Sequence, residues 1–319
     1  MPSWQARVLS LLSRQVVKRT IIKHSHDVDK TIRMVRNWLA PSRLILPRLP
    51  LAVTHQSVDK GQVRGEWLHW NGQPHDHRES CTYYLHGGGY FAGSPATHRN
   101  LTAALTVATK MPTFALDYRL APEHPFPAAV LDAVSGYRWL LEEGFPPDKI
   151  VIGGDSAGGG LTMATVLWLR DAGLPLPAGI FLLSPWTDLA CTGNTLEQND
   201  RHDHLLCGKD VRRYSKVYHG ETSPLDPLVS PLYGNFLGLP PLRVYASDTE
   251  ILLDDAVRLA ERARCYGVHV DLRIWNDLIH AWPILVNLRL PESRQVVEEL
   301  ALFIRERVSG QRSVAKAAS

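Results

Sequence analysis

Gly154, Ser156 and Gly158 stand at alternate positions in the stretch Lys149-Ile150-Val151-Ile152-Gly153-Gly154-Asp155-Ser156-Ala157-Gly158-Gly159-Gly160. A serine hydroxyl can attack an acyl carbon, but at neutral pH it is a weak nucleophile and needs a base to take its proton. The flanking residues say how this serine would be presented. Ile150-Val151-Ile152 is a short β-branched apolar run of the kind that forms a buried strand. Leu161 to Arg170 is a good helix former. A serine pinched between strand and helix has the arrangement of a nucleophile elbow, with its hydroxyl pushed into the open. Side chains two residues before and after it would collide, and both positions are glycine. The helix that follows aims its positive end at the site, which favours a developing oxyanion. Gly-x-Ser-x-Gly also occurs as a plain glycine-rich turn. The strand before it and the helix after it separate the two readings here.

The base and its acid should follow the serine in the chain, on loops after the last strands. His280 lies in such a loop, Asp277-Leu278-Ile279-His280-Ala281-Trp282. His124 precedes the serine and His219 precedes the last strands, so order disfavours both. Two carboxylates, Asp248 and Glu250, lie in the preceding loop, Ser247-Asp248-Thr249-Glu250. They are two residues apart, so in extended chain they point to the same side and either could orient the histidine.

A second glycine-rich element, His86-Gly87-Gly88-Gly89-Tyr90, follows the strand-like Cys81-Thr82-Tyr83-Tyr84-Leu85. Consecutive glycines after a strand leave backbone N–H groups bare, which suits an oxyanion hole. The N–H groups of Gly87, Gly88 and Ala157 are expected to converge on the tetrahedral oxygen.

The rest of the chain must hold these groups. Residues 1–48 read as amphipathic helices, the second over Val28 to Leu39. Trp4, Val8, Leu11, Leu12, Val16 and Ile21 are mixed there with Arg7, Arg14, Lys18, Arg19 and Lys23. A basic membrane-surface helix is one reading. A pair of helices packed on the main body is the preferred one. Ala52 to Trp70 alternates with period two, as in a hairpin or edge strands, and ends at Asn71-Gly72. His75 and His77 fall in the polar loop beyond and read as solvated residues. From there strands alternate with helices at spacings that suit right-handed βαβ units. Residues 189–236 break that rhythm, with one helix expected over Lys209 to Tyr218. His202-Asp203-His204 and Cys207 within it lack a second ligand pair at zinc spacing, so no metal site is assigned.

Composition narrows the function classes. The 319 residues carry a net charge of +3, which gives no strong pull toward nucleic acid. Cys81, Cys191, Cys207 and Cys265 are scattered and form no disulfide framework. No apolar run approaches the roughly 18 residues of a membrane span, and Val8-Leu9-Ser10-Leu11-Leu12 is too short for a signal-peptide core. A cytoplasmic protein is expected, with no nucleic-acid partner and no stable membrane insertion. Whether it is a monomer or a homodimer is left open.

His86 to Gly89, Asp117 to Pro127, Gly154 to Gly159, Ser184-Pro185-Trp186 and Asp277 to Trp282 together resemble the hormone-sensitive-lipase-like family of α/β-hydrolases. These are bacterial esterases with a Gly-Asp-Ser-Ala-Gly box, and the likeness runs from about Thr54 to the C-terminus. The resemblance implies an α/β-hydrolase core whose eight-stranded, mostly parallel sheet is flanked by helices. Residues 49–319 would form that catalytic domain. A helical cap would come from residues 1–48 and an insertion at about 189–220. The implied activity is a serine carboxylesterase that cleaves small esters of short acyl chains through an acyl-enzyme, with no cofactor. In one respect the chain departs from the family. Many members have Asp-Pro-Leu-x-Asp at the acid position, thirty residues before the histidine. Here Glu250 stands thirty residues before His280 and Asp248 thirty-two. That spacing favours Glu250 beside Ser156 and His280, with Asp248 the alternative. Two other function classes share parts of this pattern. Plant gibberellin receptors share the fold and the glycine loop but lack the histidine, and they bind without cleaving; this chain retains serine, acid and histidine. An amidase or peptidase could use the same groups, and the resemblance favours esters.

Overall fold

The apolar strands of this chain point alternate side chains to opposite faces. Ile150 and Ile152, Ile180 and Leu182, and Leu242 and Val244 enter one core cluster. Their neighbours Val151, Phe181, Leu183 and Tyr245 enter a second. A sheet buried on both faces must be covered by helices on both faces, as parallel sheets are. The computed structural model describes residues 1–24, 26–39, 49–72 and 78–310. The loop histidines His75 and His77 lie outside those residues.

The strands are β1 (Val53–Lys60), β2 (Val63–Trp70), β3 (Cys81–Leu85), β4 (Thr113–Leu116), β5 (Ile150–Asp155), β6 (Gly179–Leu183), β7 (Leu242–Ser247) and β8 (Val270–Trp275). They form one eight-stranded sheet in the order β1-β2-β4-β3-β5-β6-β7-β8. β1 pairs with β2, and β2 with β4, antiparallel. From β4 through β3, β5, β6 and β7 to β8 every pairing is parallel. One layer contains α4 (Pro95–Thr109) and α10 (Pro291–Ser309), whose Leu101, Leu105, Val296, Leu300 and Ile304 pack on one face. The other contains α5 (Ala128–Glu142), α6 (Ala157–Asp171) and α9 (Leu253–Cys265), with Tyr137, Leu140, Leu161 and Leu259 in the opposite cluster.

The strand order reverses direction between β3 and β5. Such a reversal opens a crevice at the carboxyl ends of the strands. The glycine loop leaves β3 and the serine turn leaves β5, so both arrive at that crevice. The loops after β7 and β8 bring Glu250 and His280 to the same edge.

Two helical groups lie over it. The N-terminal group is α1 (Trp4–Leu12), a π-helical stretch at Ser13–Lys18, α2 (Arg19–His24) and α3 (Val28–Leu39). The second comprises α7 (Thr195–Gln198) and α8 (Gly208–His219). Lys18, buried, joins the groups through its ammonium, which donates to the carbonyls of Asp200 at 2.5 Å and Asp203 at 2.9 Å. Arg36 of α3 donates to the carbonyls of Phe91 and Ala121 at 2.6 and 2.8 Å and forks onto Glu123. The helix expected over Val28 to Leu39 has those bounds. The π-helical turn carries no signal in hydropathy, and neither does the 3₁₀ stretch Trp282–Leu288 after the histidine loop. Among the described residues no helix is long and apolar enough to cross a membrane.

The elbow turn constrains the sheet. A Cβ on Gly154 would run into the Leu85 carbonyl of β3 and sit 2.6 Å from the Gly158 carbonyl. A Cβ on Gly158 would meet the carbonyls of Leu85 and His86. These neighbours are backbone and cannot swing aside. Gly154→Ala is therefore expected to destabilise the fold by about 2 kcal/mol or more, the upper range of overpacking. Urea unfolding checks this: the midpoint should fall with little change in slope.

Candidate active site

Ser156 has φ 52° and ψ −123°, a region that L-residues rarely occupy. The turn is held by its backbone. Ser156 N–H donates to the Leu183 carbonyl at 2.8 Å, and Ser156 C=O accepts from Trp186 N–H at 2.9 Å. Neighbours Asp155 and Ala157 are buried, while Ser156 is only half-buried. The strain thus presents one side chain to the crevice.

His280 Nδ1 lies 2.7 Å from Glu250 Oε2, and both side chains are buried. The other Glu250 oxygen accepts from Ser184 Oγ at 2.7 Å and from Ser247 N–H at 2.8 Å. With a carboxylate on one side, Nδ1 carries the proton, and Nε2 remains as the acceptor. Nε2 is buried and meets no hydrogen-bond partner in the described protein. Ser156 and His280 line one cavity. Burial pushes the His280 pKa down, but the charge and hydrogen bond of Glu250, helped by Asp203 and Asp155, hold it above the ordinary 6.5. Asp248 lies elsewhere. It is exposed, and its Oδ1 accepts from Asp277 N–H at 2.7 Å, tying the loop after β7 to the loop after β8.

The glycine loop differs from expectation at one residue. Gly87 N–H is donated to Asp155 Oδ1 at 2.9 Å, so it is not free to meet an oxyanion. Asp155 also accepts from Tyr84 Oη at 2.6 Å and lies 3.3 Å from His98 Nε2. Burial alone would raise its pKa; His98 and these bonds together depress it to about 2. A fixed buried anion therefore claims the first glycine N–H. The next two are turned the other way. His86 Nδ1 donates to the Gly87 carbonyl at 2.8 Å. The Gly88 carbonyl accepts from Phe91 and Ala92 N–H at 3.2 and 2.9 Å. In a trans peptide C=O and N–H point in opposite directions, so the N–H groups of Gly88 and Gly89 face away from those partners. Gly88 and Gly89 line the cavity with Ser156. Both need glycine, with φ 118° and 64°. Ala157 opens α6, where N–H groups have no intrahelical acceptor. His86 itself, burial having lowered its pKa to about 3, is neutral and stacks on Tyr118 at 4.2 Å between centroids.

The cavity measures about 240 Å³ and is lined almost wholly by apolar side chains. Val17, Ile21 and Trp38 come from the N-terminal helices, and Leu206, Val211 and Tyr214 from the second group. Trp186 forms part of the wall, in the loop after β6. That loop is fixed by Asp255, whose Oδ2 accepts from the N–H groups of Thr187 and Asp188, both at 2.7 Å. Burial, and Asp188 beside it, push the Asp255 carboxyl up to about 8. The residues weighed as zinc ligands are otherwise engaged. Asp203 accepts from the N–H groups of Leu205, Leu206 and Ile251, and His204 Nε2 lies 2.7 Å from Asp277. Among the described residues no cluster of three or more ligating side chains could hold a metal.

Sequence reasoning passed over Gly89, Ser184, His98 and Asp255. Gly89 was visible as the third glycine of its run. Ser184 Oγ donates to Glu250 and accepts from Ala281 N–H at 3.0 Å, a bridge across three loops that no local pattern announces.

Comparison with known proteins matches residues 82–284 to a family model described as alpha/beta hydrolase fold. An acetyl-hydrolase of Streptomyces hygroscopicus is 42% identical over 285 residues, covering 84% of this chain and 92% of the relative. A solved esterase of the bacterial hormone-sensitive lipase family is 38% identical, covers 88% of this chain and 98% of its own, and superposes with a TM-score of 0.79. A hormone-sensitive-lipase homologue from a metagenome library, EstE7, is 33% identical, covers 97% and 100%, and gives 0.83. With its serine turn, its paired histidine and carboxylate and its glycine loop all at one sheet edge, the chain belongs to the α/β-hydrolase family, among the bacterial hormone-sensitive-lipase esterases.

Proposed function

We propose that Ser156, His280 and Glu250 form a catalytic triad that cleaves small carboxylic esters through an acyl-enzyme. The observation that carries this reading is the 2.7 Å contact of His280 Nδ1 with buried Glu250, which leaves Nε2 unpartnered in the cavity that Ser156 lines. Nε2 takes the Ser156 proton as Oγ attacks the ester carbonyl, and the imidazolium then protonates the departing alkoxide. Water repeats the sequence on the acyl-enzyme and returns Ser156. The N–H groups of Gly88, Gly89 and Ala157 receive the negative oxygen of each tetrahedral intermediate. Asp155 acts as a positioning residue, because its bond to Gly87 N–H sets which way the glycine loop faces. No step calls for a metal or cofactor. The cytoplasmic reading is supported by Cys81, Cys191, Cys207 and Cys265, all of which are free thiols.

Ser156→Ala should lower kcat on p-nitrophenyl acetate by at least about three orders of magnitude. Circular dichroism should show an unchanged fold, and a folded variant with near-normal turnover removes Ser156 from the role of nucleophile.

The two acids are separated by their contacts. Glu250→Gln should lose up to about 10⁴ in kcat, as when the orienting acid of a serine triad is removed. Asp248→Asn should lose much less, because it frees only a loop N–H. The base works deprotonated, so kcat/KM rises with pH, with its acid limb above 6.5. Loss of the Glu250 charge removes the largest influence that raises the His280 pKa, and the limb should move to lower pH. Exchanged behaviour of the two variants would exchange their roles.

The cavity of about 240 Å³ is smaller than the roughly 300–1,000 Å³ of pockets that bury drug-sized ligands. Acyl chains of about two to six carbons should be preferred. Measuring kcat/KM along a series of p-nitrophenyl esters tests this, and a maximum at long chains would contradict it.

A further inference from the structure

The first twenty-four residues contain no aspartate or glutamate but carry Arg7, Arg14, Lys18, Arg19 and Lys23. A helix lying on a globular body turns its apolar face inward. Along α1 and its continuation Leu9, Val17 and Ile21 point inward, but most of the large apolar side chains are turned the other way. Ala6, Ser10, Ser13 and Lys18 face the body and are buried. The hydroxyls of Ser10 and Ser13 are buried without a hydrogen-bond partner among the described residues. Outward stand Trp4, Val8, Leu11, Leu12, Val16 and Ile22, each 45–66% exposed. Positions 4, 8, 11 and 12 fall on one helical face, so the side chains form a stripe rather than scattered points.

The helix is not free to roll this stripe inward. At its start Ser3 donates to Glu292 of α10, from its N–H at 2.5 Å and from its hydroxyl at 2.9 Å. At the far end Lys18 is fixed to the carbonyls of Asp200 and Asp203. An apolar stripe held outward by polar anchors at both ends, above two unsatisfied buried hydroxyls, has the character of an interaction surface.

The charges choose the occupant. Arg7, Arg14, Arg19 and Lys23 are all exposed, with no acid between them. A second copy would lay this cationic surface against itself across a two-fold axis, which like charges oppose. An anionic surface is complementary to it. The stripe is the outer side of a helix, aliphatic with a tryptophan near its start, which suits the boundary between headgroups and acyl chains.

We propose that α1 and its continuation dock this face on an anionic lipid bilayer. The aliphatic side chains and Trp4 enter the boundary layer, and the arginines meet lipid phosphates. The proposal does not depend on the catalytic assignment. It places the membrane over the roof of the cavity, because Val17 and Ile21 of the same segment line that cavity from within.

The test is cosedimentation of the full chain with phosphatidylcholine vesicles, with and without about 30 mol% phosphatidylglycerol. Binding should be at least about tenfold stronger to the anionic vesicles and should weaken as salt is raised. The Val8→Asp/Leu11→Asp and Arg7→Glu/Arg14→Glu double variants should each lose at least about tenfold of it. Both should retain turnover of water-soluble p-nitrophenyl acetate, which shows that they fold. Equal binding to the two vesicle types, or none, overturns the proposal. So does a wild-type dimer in light scattering that the Val8→Asp/Leu11→Asp variant dissolves, since the stripe would then be covered by a second copy.

Discussion

The carboxylate of Asp155 joins the turn that carries the serine to the loop that carries the glycines. It is buried next to Ser156, and it accepts from Gly87 N–H and Tyr84 Oη with His98 beside it. A carboxylate in that position is anionic only because these partners outweigh the cost of its burial. Its hold on Gly87 turns the following peptides toward the cavity. On the proposed mechanism the backbone donors are thus oriented before any substrate arrives, which is what makes oxyanion stabilisation effective.

A similar economy links the other loops. Ser184 Oγ donates to Glu250 and accepts from Ala281 N–H, and Asp248 caps the backbone at Asp277. The ends of β6, β7 and β8 are therefore connected through the side chains of Ser184 and Asp248. Glu250 and His280 keep their relation because the loops that bear them share hydrogen bonds. Asp255 does the same for the loop of Trp186. The site is as rigid as the sheet edge it stands on, and only the apolar helical roof is built from separate pieces.

Most of the strand and helix order was legible, because buried parallel strands flanked by helices leave unbroken β-branched runs such as Ile150-Val151-Ile152. The serine turn was legible because sterics demand its glycines. The separation of Glu250 from Asp248 could be anticipated from spacing to His280, and their different contacts follow from Glu250 pointing inward while Asp248 stays at the surface. Two things were hidden. Gly87, Gly88 and Gly89 are equivalent as a string, and only the approach of Asp155 from another strand distinguishes them. The facing of α1 was hidden for a different reason. Hydropathy reports which residues share a side of a helix but not which side is turned to the body, and that was settled by Ser3 and Lys18, through partners far away in the chain.

The distance of those partners has a consequence for how the molecule is made. The pair formed by Ser3 and Glu292 spans 289 positions of the chain, and Lys18 reaches across 182 to Asp200. The N-terminal helices are synthesised well before either anchor, Asp200 for Lys18 and, later still, Glu292 for Ser3. During translation the start of this basic, apolar segment lacks its partner until the whole sheet has been made. Contacts so remote in sequence are slow to close, and exposed apolar chain is what chaperones and aggregates both seize. The N-terminal part of the cavity roof is thus made before the residues that fix it, and a chain stalled short of them would present an open pocket edge with a sticky, positively charged arm.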